Sequence, residues 1–169
     1  PEVYNALHPP AHWEFDEVFN QFRDDPDQWI AIVTGAGDKA FSAGNDLKYQ
    51  AAGTGSRSRP ESGFAGISNR YDLACDLIIA AENATFALPE PRVGLAAGAG
   101  GIHRLPRHIP FKQAMGMILT GRRVGAKEGK DLGFVNEVVP EGGALDGAKR
   151  WAATILECSP MSIRASKQG

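Results

Sequence analysis

Cysteine is scarce in this chain of 169 residues, with only Cys75 and Cys158 present. Two cysteines cannot staple a disulfide scaffold, and a reducing cytoplasm is the expected setting. Cys75 sits in an apolar run and is expected to be buried. The four histidines show no metal motif. His8 and His12 have helical spacing, but Pro9 and Pro10 lie between them, and His103 and His108 stand beside arginines. Long apolar runs are missing as well. The longest, residues 77–81, falls far short of a membrane span. Charge of one sign is lacking: the net value of −2 leaves no electrostatic footprint for nucleic acid or an anionic membrane surface. No basic stretch followed by an apolar one opens the chain, so no signal peptide is expected, and a natural start upstream of Pro1 is. Internal repeats are absent too.

What remains is an ordinary globular composition, 43% apolar and 22% charged. The length suits one domain with a real core, residues 1–169. Residues 1–7 read as a strand end or turn. A helix follows, with Pro10 in its first turn and Trp13, Val18, Phe19 and Phe22 at near-helical spacing. It stops at the Asp24-Asp25-Pro26-Asp27 turn. Residues 29–34, WIAIVT, form an apolar run of strand length, and such a run suggests a strand buried on both faces of a parallel sheet. Residues 47–52 predict a short helix, and residues 53–66 a surface loop rich in Gly, Ser, Arg and Pro. Strands are expected at the end of residues 73–80 and at 84–87, with Asn83 in the turn between them. Residues 110–119 predict a helix with Met115, Ile118 and Leu119 inward, closed by Gly121. Residues 126–132 predict another, closed by Gly133. A strand at 134–139, a helix at 145–156 and a last helix from Ser159-Pro160 complete an α/β order.

Two signals invite misreading. Gly35-Ala36-Gly37-Asp38-Lys39-Ala40 matches a dinucleotide-binding fingerprint, but that pattern needs a helix opening at its glycines. Here a second turn follows, with Gly44, Asn45 and Asp46. A nicotinamide oxidoreductase is therefore disfavoured. Ser42 has no nucleophile-elbow context.

The stretch 86–105, FALPEPRVGLAAGAGGIHRL, is more informative. Its one carboxylate, Glu90, lies between Pro89 and Pro91, which restrict the backbone on both sides. The glycines after it let backbone approach something closely, and Gly100-Gly101 is expected to open a helix leading to Arg104.

Four segments together resemble the crotonase, or enoyl-CoA hydratase/isomerase, superfamily. They are PEVYNAL, WIAIVTGAGDKAFSAGNDLK, LACDLIIAAENATFALPEPRVGLAAGAGGIHRLPR and ILTGRRVGAKEGKDLGFVNEVVP. They span most of the chain in the family's order. The resemblance implies a spiral of repeated ββα units with C-terminal helices, a homotrimer or dimer of trimers, and acyl-CoA substrates. Coenzyme A enters as part of the substrate, with no tightly bound cofactor and no metal. The family's A-G-x-D turn matches Ala43-Gly44-Asn45-Asp46, which implies that the Asn45 N–H holds the thioester oxygen. The family's acid/base glutamate matches Glu90. Asn5, Ala6, Ala43, Gly44, Asp46 and Lys48 are implied near the CoA. The reaction implied is hydration of the 2,3 double bond of an enoyl-CoA through a thioester enolate. Isomerisation of the double bond and dehydration of carnitinyl-CoA are alternatives, and an RNA- or protein-binding relative is one of another class.

The chain departs from the family pattern at one place. Asp72 joins Leu73 directly, where the family carries a buried strand, a glycine-rich turn and the start of a helix. That segment would supply a second oxyanion donor and a second glutamate. The natural molecule is expected to carry it, because deleting a central buried strand would cost more than a domain's marginal stability.

Overall fold

The computed structural model describes residues 2–52, 60–66 and 75–168. The junction at Asp72, residues 53–59 of the glycine-rich loop, and Leu73 and Ala74 lie outside them. Helix α1, Pro9–Asp24, begins where its two prolines belong, at N1 and N2, so they start the helix rather than break it. His8 is its N-cap, and its Nδ1 accepts from the Ala11 N–H at 3.3 Å. His12, one turn on, is fully buried and turns elsewhere: its Nδ1 accepts from the Ala65 N–H at 3.1 Å. Asp16 reaches the Ser62 hydroxyl. The short turn Phe64–Gly66 is thereby docked on α1. Of the expected apolar face only Phe19 is buried, while Trp13 and Val18 are exposed.

The run 29–34 does not form a strand. Among the described residues its backbone has no sheet partner, and Trp29 and Ile32 are exposed. Apolar side chains create the demand for burial, but a strand also needs a neighbour on its hydrogen-bonding edge. The Trp29 Nε1 donates instead to the Pro26 carbonyl at 2.9 Å.

After α2, Leu47–Ala51, the described strands are short. β1, Ile79–Ala81, pairs in parallel with β4, Glu137–Val139, with Ala80 opposite Val138. β2, Thr85–Phe86, pairs antiparallel with β3, Val124–Gly125. Helices α3 (Gly101–His108), α4 (Phe111–Thr120), α5 (Ala126–Leu132), α6 (Ala144–Leu156) and α7 (Pro160–Gln168) complete the order. Gly121 and Gly133 end α4 and α5 at φ values of 59° and 96°, the left-handed cap that glycine permits. One core cluster gathers Ile109, Ala114, Met117 and Val124. A second gathers Ala80, Ala126 and Val135. Phe134 touches both and meets Phe86 edge-on at 5.2 Å. On α4, Ala114 and Met117 are the buried residues; Leu119 points outward at 67% exposure, one position off the predicted face. Cys75 is exposed, because β1 begins only at Ile79 and the chain reaches the core at Ile78, three residues after it. Even so, desolvation and then the Asp76 charge push its thiol above the ordinary value.

Candidate active site

Glu90 opens a 3-10 turn, Glu90–Val93, which Gly94 closes at φ 73°. The Glu90 carbonyl accepts from the Leu95 N–H at 3.0 Å. The flanking residues clamp the turn. Leu88 packs so closely on the start of α3 that a Cβ at Gly101 would lie 2.9 Å from its Cδ2. The Arg92 Nε donates to the Gly121 carbonyl at 3.2 Å, beyond the end of α4. Glu90 is thus held between two helices. Its Oε2 is buried and has no hydrogen-bond partner among the described residues. A buried carboxylate oxygen without a donor is costly, and in folded proteins such atoms are rare. Gly100, at φ 104°, caps α3 as expected, and Arg104 folds back over it.

The second half of the site is a turn tied to the start of the chain. Leu7 and Asn45 form a parallel bridge. The Leu7 N–H donates to the Gly44 carbonyl at 2.7 Å, and the Asp46 N–H to the Leu7 carbonyl at 3.0 Å. In a parallel pair the bridging residue's own N–H faces the other way. The Asn45 N–H is therefore aimed away from Leu7, and no acceptor meets it among the described residues. A single turn can thus present one backbone donor outward, the element an oxyanion hole requires.

Asn5 is the main tie. Its Nδ2 donates to the carbonyls of Ala36 and Ala40 at 2.9 and 2.7 Å. Tyr4 and Asn5 adopt φ values of 54° and 55°, rare for residues with a side chain. The Ala43 N–H donates to the Tyr4 carbonyl at 2.9 Å. The Asp46 Oδ1 accepts from the Tyr49 N–H at 3.0 Å, capping α2. The structure therefore brings Asn5, Ala6, Ala43, Gly44, Asn45 and Asp46 together. Lys48 lies on α2 with its side chain exposed. Among the described residues no hydrogen bond joins this turn to Glu90.

Sequence reasoning passed over Ser42. Its hydroxyl donates to the Asn5 carbonyl at 2.9 Å and accepts from the Gly44 N–H at 3.0 Å. The local signal was a hydroxyl two residues before a turn glycine, a recurrent side-chain turn. The dinucleotide-like run 35–40 bends without a helix, as the second turn implied.

The model of the family described as enoyl-CoA hydratase/isomerase matches residues 1–65 and 63–169. The chain belongs to this family. Carnitinyl-CoA dehydratase of Escherichia coli K12 is 38% identical over 190 aligned residues, covering 97% of this chain and 71% of that protein. Carnitinyl-CoA hydratase from Mycobacterium avium superposes with a TM-score of 0.93 at 35% identity, over 99% of this chain and 73% of the other. Enoyl-CoA hydratase from Mycobacterium tuberculosis gives 0.91 at 33%, with the same coverage. The crotonase fold expected from the motifs is thereby established. The 190 aligned positions exceed the 97% of 169 residues, about 164, by about 26. The Escherichia coli relative thus carries roughly that many residues opposite none of this chain. The two family-matched stretches meet at 63–65, somewhat before the junction at Asp72. Among the described residues no helix is long and apolar enough to cross a membrane, and no three His, Cys, Asp or Glu side chains gather to hold a metal.

Proposed function

We propose that this crotonase-family chain is an enoyl-CoA hydratase in which Glu90 moves the proton and the Asn45 N–H holds the thioester oxygen. The observation that carries the reading is the buried, partnerless Oε2 of Glu90. An oxygen kept from water and from protein donors is available to a substrate. As the water oxygen bonds to C3, the electron pair of the double bond moves through C2 onto the thioester oxygen. Glu90 as carboxylate takes one proton from that water. It then returns the proton to C2, and the enolate collapses to the 3-hydroxyacyl thioester. Charge peaks on the thioester oxygen midway, where a fixed amide in a dry site is worth most. Asn5, Ala6, Ala43, Gly44, Asp46 and Lys48 are proposed to lie along the CoA, in a cytoplasmic homotrimer or pair of trimers.

Glu90→Gln should lower turnover of crotonyl-CoA by about two orders of magnitude or more while CoA binding persists. Unchanged turnover removes Glu90 from the chemistry. Dehydration of carnitinyl-CoA is the second reading, favoured by the name of the 38%-identical relatives. It uses the same two groups in reverse. A double-bond isomerase needs only one glutamate to shuttle a proton. Assays of crotonyl-CoA, carnitinyl-CoA and a 3-enoyl-CoA side by side separate the three.

A further inference from the structure

We infer that Ser42 is the positioning residue that sets the aim of the Asn45 N–H; this rests on the oxyanion reading of Asn45. A trans peptide places its carbonyl and its N–H on opposite sides. The Gly44–Asn45 peptide is thus oriented by whatever holds its Gly44 end. The carbonyl of that peptide is held by the Leu7 N–H at 2.7 Å. The N–H of the preceding peptide, at Gly44, is held by the Ser42 Oγ at 3.0 Å.

Gly44 itself supplies no constraint. It sits at φ 82°, and a Cβ there would meet nothing within 4 Å. With open space where a side chain would stand, its backbone is set by the hydrogen bonds on either side. Ser42 also donates to the Asn5 carbonyl at 2.9 Å. Asn5 is anchored in turn on Ala36 and Ala40. The hydroxyl therefore ties the loop at 36–40, through Asn5, to the peptide that precedes the one bearing the outward donor. Removing the hydroxyl leaves one donor and one acceptor unpaired in a half-buried turn and frees a glycine at the pivot.

The test compares wild type, Ser42→Ala, Ser42→Thr and Glu90→Gln. Turnover of crotonyl-CoA is measured, and so is the near-ultraviolet enolate band of bound acetoacetyl-CoA, which requires no turnover. Ser42→Ala should lower kcat about tenfold, less than the loss of a whole oxyanion donor, with KM within about twofold. The enolate fraction of bound acetoacetyl-CoA should fall in parallel. Ser42→Thr, which keeps the hydroxyl, should restore both, and thermal melting verifies that each variant folds. A wild-type kcat and enolate band in Ser42→Ala overturn the inference. So does a change in KM alone, or a loss that Ser42→Thr fails to restore. If Glu90→Gln stops turnover while Ser42→Ala does not, only the role of Ser42 falls. If Glu90→Gln turns over normally, only the role of Glu90 falls; if the wild type shows neither crotonyl-CoA turnover nor an enolate band, the oxyanion reading of Asn45 falls and takes this inference with it.

Discussion

At Gly35 there is no room for a methyl group. A Cβ would stand 2.5 Å from the Ala40 carbonyl oxygen and 2.6 Å from Phe41 Cα, both rigid backbone. The glycine that imitates a nucleotide fingerprint is required because the loop folds onto itself. The folding presents two carbonyls, of Ala36 and Ala40, to Asn5. Gly35→Ala should therefore destabilise the chain by about 1–3 kcal/mol through overpacking, read as a lower urea midpoint. It should also loosen the Asn45 turn without touching any residue there. Glu90 was legible in sequence because the constraint on it is local, a proline on each side. Ser42 was legible only in half: its bond to the Gly44 N–H is local, but the Asn5 carbonyl lies 37 residues away. Adjacent letters carry no record of a hydrogen bond across that separation.

Among elements, the contact of β4 with α6 carries a pH signature. Glu137 on β4 accepts from Trp151 Nε1 at 2.7 Å and from Arg150 Nη2 at 2.8 Å. The Trp151 hydrogen bond, and then Arg150, hold its carboxyl below the ordinary 4.5. A depressed value in the folded state means stability that is fully present above 4.5 and is lost as pH falls through the lowered value. The melting temperature should drop on acidification through that window, and in Glu137→Gln the same window should be flatter. An equal acid response in the variant would place the effect elsewhere. Helix ends were legible at this scale: Gly121 and Gly133 cap α4 and α5 where the sequence put them. The run 29–34 misled because apolarity reports a need for burial, whereas pairing depends on a second segment the pattern cannot name.

For the molecule as a whole, the fold was legible through four modest motifs in one order. The family match extends over the whole chain, from residue 1 to residue 169. The reaction was less legible, since the resemblance puts the residue that would separate hydration from isomerisation, a second glutamate, in a segment this sequence does not show. The run 29–34 has a colloidal consequence. Residues 29–34 form an apolar ribbon without a sheet partner among the described residues, with Trp29 46% and Ile32 38% exposed. Unpaired backbone beside half-exposed apolar side chains is an addition site for any chain of like pattern. A chain of this sequence is expected to associate above a concentration threshold. Light scattering should rise steeply above a critical concentration, and Ile32→Lys should move that threshold upward, as a charge does on any growing edge.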